Sequence, residues 1–217
     1  MTVAAIVVAG GRGERFGGQK QFAQLGGRTL AAHSVTQSRS VADFVVVVVP
    51  DNYVGDGEGA DLVVTGGATR SDSVRAGLSV CGEAEIIVVQ DAARPLASTE
   101  LFTSVVSAVR GGAAAAIPGI AVSDTIKQIA NGVVIATPPR DSLVAVQTPQ
   151  AFRADVLQRA HASSGVATDD AGLVEALGES VVVVAGERSN IKVTNPEDLD
   201  VVQPVSYTHL RAHETSL

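Results

Sequence analysis

Five short runs rich in valine, isoleucine and alanine punctuate the chain, at Ala4–Ala9, Phe44–Val49, Glu85–Gln90, Ala113–Ile117 and Val181–Ala185. Their apolar residues follow one another without alternation, the pattern of parallel strands covered on both faces. Between the runs, apolar and small positions recur at helical spacing: Leu30, Ser34 and Val35; Val74, Leu78 and Cys81; Leu101, Phe102, Val105, Val106 and Val109. Strand alternating with helix predicts an α/β fold, a doubly wound and mostly parallel sheet. Boundary residues agree. Ser98 before Leu101 and Thr168 before Asp169 and Asp170 suit helix starts, Gly178 after Leu177 suits a stop, and Asn195-Pro196 suits the opening of a last helix.

One stretch departs from this alternation. Thr125–Ile129 and Val133–Thr137 flank Asn131-Gly132, the residue pair best suited to a type I′ hairpin turn. A projecting β-arm is expected over about residues 120–142, closed by Pro138-Pro139, with no separate domain after it. A chain of 217 residues suits one domain, placed at residues 1–203. The stretch Pro204–Leu217 changes character, carrying two of the four histidines and one of the two tyrosines without strand or helix period. It reads as a non-native tail interrupting the C-terminal helix after about Val202.

Composition narrows the function. Hydrophobic residues make up 46% and charged ones 18%, the profile of a packed globular protein. A net charge of -7, 3% aromatic residues and no Trp argue against a nucleic-acid partner, which needs excess base and stacking surfaces. Any anionic ligand must therefore meet locally concentrated cations. Cys81 is the only cysteine, so no intramolecular disulfide forms, which fits a reducing cytoplasm. The apolar opening lacks a basic flank, and no run approaches the ~18 residues of a membrane span, so no membrane partner is expected.

The first candidate site is AGGRGERFGGQKQF, Ala9 to Phe22, directly after the first strand. Its glycines let backbone N–H groups approach a phosphate, and Arg12, Arg15 and Lys20 supply charge. Two familiar phosphate loops do not fit. A Walker A loop needs Gly-Lys-Ser/Thr, whereas Lys20 lies between Gln19 and Gln21; the dinucleotide fingerprint from Gly11 and Gly13 meets Phe16 where a third small residue belongs. A plain surface turn is the bland alternative. The second candidate is VVQDAARP, where a buried strand ends in Asp91 and Arg94. A carboxylate at a strand's carboxyl end can hold Mg²⁺ or a ribose, although an Asp–Arg turn pair would look the same.

GGATRSDSVRAGL, Gly66 to Leu78, reads as an ordinary capped helix start when taken alone, and so does Thr168-Asp169-Asp170. Lys192 suits a solvated edge charge; His33 and His161 suit packed or surface positions within helices. No nucleophile–base pair is legible. Basic residues around a glycine loop instead suit phosphoryl or nucleotidyl transfer, where catalysis is mainly positioning and charge stabilisation.

Together, AGGRGERFGGQKQF, GGATRSDSVRAGL, VVQDAARP, VSDTIK, TPQAF, ATDDAGLVEALG and NIKVTNPEDL resemble, in order and spacing from Val3 to about Val202, the 2-C-methyl-D-erythritol 4-phosphate cytidylyltransferases. The resemblance implies a nucleotidyltransferase type of doubly wound sheet, a homodimer formed through the β-arm, and a divalent cation, usually Mg²⁺. It places Ala9, Gly10 and Gly11 at the nucleotide, with Arg15 and Lys20 on the triphosphate of CTP. Gly67, Ala68 and Ser73 would face the cytosine, and Asp91 and Ala92 the ribose and metal region. Arg94, Thr125, Arg140, Thr148 and Lys192 would surround methylerythritol phosphate, Thr125 and Arg140 coming from the partner subunit's arm. Gln19 and Thr69 depart from the residues usual in the family, without removing a charge the transfer needs. A ribitol 5-phosphate cytidylyltransferase, a guanylyl- or sugar-1-phosphate nucleotidyltransferase and a non-catalytic nucleotide-binding module remain the alternatives.

Overall fold

The structure, a computed structural model, describes residues 1–162 and 167–203, so the expected foreign tail lies outside the described residues. In chain order the elements are β1 (Val3–Val8), β2 (Gln24–Leu25), β3 (Arg28–Thr29), α1 (Leu30–Ser38), β4 (Phe44–Val49), β5 (Leu62–Thr65), α2 (Arg70–Leu78), β6 (Ile86–Asp91), α3 (Thr99–Arg110), β7 (Ala115–Ala121), β8 (Gln128–Ala130), β9 (Val133–Ala136), β10 (Val144–Val146), β11 (Gln150–Arg153), α4 (Ala154–Ala162), α5 (Asp170–Glu175) and β12 (Val181–Ala185). A further helical segment occupies 197–203.

Successive side chains of a strand point to opposite faces, and the runs without alternation use both. Val3, Ala5 and Val7 of β1 pack with Val45 and Val47 of β4 against α1 and α3, burying Val35, Phe102 and Val105. Ala4 and Ile6, with Val46 and Val48, pack on the other side against Val74 of α2, Leu157 of α4 and Leu173 of α5. The main sheet is eight-stranded, in the order β10-β7-β11-β6-β1-β4-β5 with β12 alongside β7. β1 is parallel to both β4 and β6, and the chain winds outward from it in both directions. The doubly wound architecture is as expected.

Three features differ in detail. β10 and β11 run antiparallel to their neighbours, β11 fitting between β6 and β7. β12 pairs only with β7 and is an edge strand, which leaves Val182 and Val183 half exposed where both-face burial was expected. β5, on the opposite edge, has no counterpart among the predicted runs because it is short and half exposed. At the helix ends, Ser98 caps α3 by accepting from the N–H of Leu101, but Asp169 rather than Thr168 caps α5.

The hairpin forms as predicted at its turn. Asn131 and Gly132 both have positive φ, 49° and 78°, as a type I′ turn requires. β8 and β9 form a two-stranded sheet of their own, shorter at the first strand than the sequence implied. Every residue of both strands is exposed.

Candidate active site

β1 and β6 are adjacent and in register, Val8 opposite Asp91, and the winding reverses between them. In an open sheet this point leaves a crevice beyond the carboxyl ends of the strands. A cavity of about 270 Å³ lies there, lined by Ala9 to Arg12, Arg15, Lys20, Gly67 to Arg70, Ser73, Asp91, Ala92 and Lys192. A second, of about 480 Å³, adjoins it past Gly11, Asp51, Asn52 and Gly67.

One wall is the glycine loop. Gly13 has φ +65°, and a Cβ there would fall 1.7 Å from the Gly18 carbonyl oxygen, so only glycine lets the loop close on itself. The Gly18 N–H donates to Gly13 O (3.3 Å), and the Gln21 amide donates to Gly11 O (3.0 Å). Gln19 donates to Asn52 Oδ1 (2.7 Å), tying the loop to the chain beyond β4. Arg12, Arg15 and Lys20 all line the cavity, and among the described residues none of the three forms an ion pair. Partial burial, then the charges of Lys192 and Arg15, lower the pKa of Lys20 below the ordinary lysine value. An anion placed here would relieve that repulsion.

The opposite wall begins at Gly66. A Cβ on Gly66 or Gly10 would come within 2.6 or 3.1 Å of Ser73 Oγ, so the two glycines allow α2 to approach β1 closely. Ser73 is buried and donates to Thr69 O (3.1 Å), a packing duty in addition to lining the cavity. Thr69 and Asp72 form a reciprocal capping box, which fixes Arg70 at the first turn of α2.

Between the walls lies a line of paired charges. Asp91 accepts from Arg70 Nε on Oδ1 (3.1 Å) and from Lys192 Nζ on Oδ2 (2.7 Å). Arg70 Nη1 donates to Asp170 Oδ2 (2.7 Å), whose Oδ1 meets His161 Nε2 at 2.9 Å. Burial would raise the pKa of Asp91, but the Arg70 and Lys192 charges outweigh it and hold the carboxyl far below its ordinary value. The same balance, with His161 and Arg70 as the stabilising partners, keeps Asp170 below its ordinary value.

Thus the structure brings together Ala9, Gly10, Gly11, Arg15, Lys20, Gly67, Ala68, Ser73, Asp91, Ala92 and Lys192. Arg94 and Thr148 brace this cleft without lining it. Thr148 Oγ1 accepts from the Asp91 N–H (3.1 Å), and the Arg94 guanidinium donates to Asn190 O (2.7 Å) and Val146 O (3.3 Å). Thr125 and Arg140 stand apart on the arm side, both exposed, with Arg140 Nη1 on Ser123 O at 2.8 Å. Sequence reasoning left Arg70 and Asp170 without a role, because each sits in a stretch that reads as a routine helix start. Cys81 lies just past the end of α2 rather than on its apolar stripe, yet it is packed as expected, and burial pushes its thiol up to about 11.

The family model for 2-C-methyl-D-erythritol 4-phosphate cytidylyltransferase matches residues 3–205. The chain belongs to this family. A cytidylyltransferase of that name from Frankia casuarinae is 48% identical over 91% of this chain and 78% of its own length. Another, from Aquifex aeolicus, is 40% identical over 93% and 96%. The crystal structure of the Thermus thermophilus cytidylyltransferase superimposes with a TM-score of 0.82 at 34% identity, covering 95% of this chain and all of that one. The chain is therefore a nucleotidyltransferase, and the unpaired cations of its cleft suit that chemistry.

Proposed function

We propose that the chain transfers CMP from CTP to the phosphate of 2-C-methyl-D-erythritol 4-phosphate, giving 4-diphosphocytidyl-2-C-methyl-D-erythritol and pyrophosphate. The observation that carries this reading, beside the family, is the trio Arg12, Arg15 and Lys20, which face the cleft without carboxylate partners. An oxygen of the acceptor phosphate attacks the α-phosphorus in line. One P–O bond forms while the bond to the β-phosphate oxygen breaks, and pyrophosphate leaves with the electron pair. Two polyanions must meet for this, and clustered cations offset their repulsion.

In this reading Arg15 and Lys20 hold the triphosphate and take up charge that grows during transfer. Ala9, Gly10 and Gly11 lie along the nucleotide, Gly67, Ala68 and Ser73 beside the base, and Asp91 and Ala92 near the ribose. Lys192 meets the acceptor phosphate. Thr148 still has its own O–H to donate there, and the Arg94 guanidinium, with two N–H groups on carbonyls, keeps others to donate, the unpartnered Nε among them. For a divalent cation the protein offers little: among the described residues no three His, Cys, Asp or Glu side chains cluster, and both Asp91 oxygens already face cations. This donor set fits Mg²⁺ arriving on the nucleotide, with Asp91 as its one protein carboxylate. Such an ion would neutralise phosphate charge.

We also infer that residues 1–203 act as one domain in the cytoplasm, and that the arm pairs with that of a second copy. Ile129, Val133 and Ile135 are each more than half exposed, and an isolated hairpin is marginal in water. A symmetric partner is the simplest cover, and Arg140 and Thr125 would then serve the neighbour's acceptor phosphate. No helix of the described residues is long and apolar enough to cross a membrane.

Pyrophosphate release from CTP with Mg²⁺ and a panel of polyol phosphates tests the reaction. Release is expected only with methylerythritol phosphate; faster turnover with ribitol 5-phosphate would overturn the acceptor, and no release with any acceptor would favour a binding module. Mixing Arg140→Ala with Lys20→Ala tests the shared site. Heterodimers then contain one intact site, and activity should partly return.

A further inference from the structure

Asp170 has no solvent-exposed surface, takes no part in the chemistry above, and yet is joined to Lys192 by three successive ion pairs through Arg70 and Asp91. A buried carboxylate is costly, and a well-packed apolar residue commonly serves stability as well or better. Its burial calls for a use, and the geometry supplies one. Arg70 is gripped by two carboxylates through different nitrogens, Nη1 by Asp170 and Nε by Asp91. Spending one nitrogen on each prevents the guanidinium from closing on Asp91 as a two-bond fork, the geometry it favours with a single carboxylate. Oδ2 of Asp91 is thereby left to Lys192. Without Asp170, Arg70 would claim both Asp91 oxygens, and Lys192 would lose the anchor that fixes its ammonium.

We propose that Asp170 is a positioning residue for the transfer reaction, acting through Arg70 and Asp91 to hold Lys192 at the acceptor phosphate. Asp170 lies on α5, Arg70 on α2, Asp91 at the end of β6 and Lys192 in the stretch after β12, so the line joins parts of the chain distant in sequence. His161 closes the far end on Asp170 Oδ1, so that oxygen too has a partner. This inference rests on the assignment of Lys192 to the acceptor.

The test is a double-mutant cycle of Asp170→Asn with Arg70→Lys, measured on protein shown to be folded by circular dichroism at the assay temperature. Asp170→Asn keeps the volume but removes the charge. It should lower kcat roughly tenfold and raise KM for methylerythritol phosphate, while KM for CTP stays within about twofold. In the Arg70→Lys background, where one ammonium cannot reach both carboxylates, the same change should cost little further. A lowered melting temperature with unchanged kcat, or additive losses in the double mutant, would reduce Asp170 to a structural residue and overturn the proposal. Should Asp170→Asn not fold, Arg70→Lys carries the test alone, since it predicts the same kcat loss and an unchanged kcat refutes it. Lys192→Ala separates the two readings. If it leaves the acceptor's KM and kcat intact, the site assignment itself fails; if it damages both while Asp170→Asn changes neither, only the role of Asp170 fails.

Discussion

Arg12, Arg15 and Lys20 on the glycine loop, and Arg70 and Lys192 opposite, are all bases lining one cleft, yet only the second pair is neutralised within the protein. Partial burial first, then the charges of Lys192 across the cleft and Arg15 on the loop, lower the pKa of Lys20. Asp91 and Asp198 offset this only in part, and none of the three loop cations is in an ion pair among the described residues. Across the cleft, each Asp91 oxygen and each Asp170 oxygen has its partner already. One wall thus presents cations outside any ion pair, and the other is held by ion pairs of its own. Positioning and charge stabilisation, the two demands of nucleotidyl transfer, are divided between them.

That division predicts opposite responses to charge removal, the largest on the paired side. Asp91→Asn leaves Arg70 and Lys192 facing each other over a neutral group. Breaking a buried pair costs about 3–5 kcal/mol, and for a chain this size that lowers Tm by on the order of 10 °C. Thermal unfolding of the ligand-free protein checks it, and an unchanged Tm would mean that the line of charges does not stabilise the fold. The acid limb gives the sign. Because its folded pKa is depressed, the stabilisation from Asp91 is complete above its unfolded pKa and is lost only as pH falls through the folded value. The mutant should lack that part of the acid loss.

On the loop side, Lys20→Ala should reduce kcat about 10²-fold, the usual consequence of removing one charge-stabilising donor. It should leave the ligand-free Tm unchanged or slightly raised, since a repelled cation disappears. A Tm loss like that of Asp91→Asn would erase the contrast between the walls. A fall in CTP affinity with kcat intact would instead make Lys20 a ground-state binding residue.

How much of this was legible beforehand follows the same line. The glycine loop announces itself because its basic residues and glycines are contiguous, and the central strands because β1, β4 and β6 are buried on both faces. Arg70 and Asp170 do not. Each occupies a first helical turn whose capping pattern explains the local sequence fully, and their meeting across 100 residues is a tertiary fact. β11 was likewise hidden. A four-residue strand in which glutamine and arginine flank Ala151 and Phe152 carries no period, and it is fixed by pairing on both sides with β6 and β7. β12 misled in the other direction, since its valines look like a central strand while only one neighbour pairs with it.

Two glycine substitutions sharpen the contrast at smaller amplitude. Gly13→Ala forces a Cβ into the Gly18 carbonyl at a left-handed φ, strain of about 1–3 kcal/mol. The loop should relax out of place, raising KM for CTP roughly tenfold. At Gly11 an added Cβ meets no protein atom within 4 Å. Gly11→Ala should therefore keep the wild-type Tm, and any rise in KM for CTP would report contact with the nucleotide itself. Equal Tm losses from both substitutions would show that the loop's shape does not depend on Gly13.

The smallest expected effect, a shift in an alkaline limb, tests the unpaired charge of the loop wall directly. Lys20 loses its proton at a lower pH than an ordinary lysine, because partial burial and then the neighbouring charges of Lys192 and Arg15 disfavour the ammonium. In the proposed transfer Lys20 acts in its charged form, so kcat/KM for CTP should fall as pH rises through that lowered pKa. The stability effect has the opposite sign. Between the folded and unfolded pKa values the unfolded chain binds more protons at this group, so its contribution to folding improves as pH rises. Activity and ligand-free stability should thus diverge on the alkaline side, a divergence that a general loosening of the fold would not produce. Lys20→Arg keeps the charge at any accessible pH. It should move the limb of whatever activity remains upward and remove this group's share of the stability gain. If the limb stays where it was, some group other than Lys20 titrates there, and the loop's repelled cation is not what limits the reaction in base.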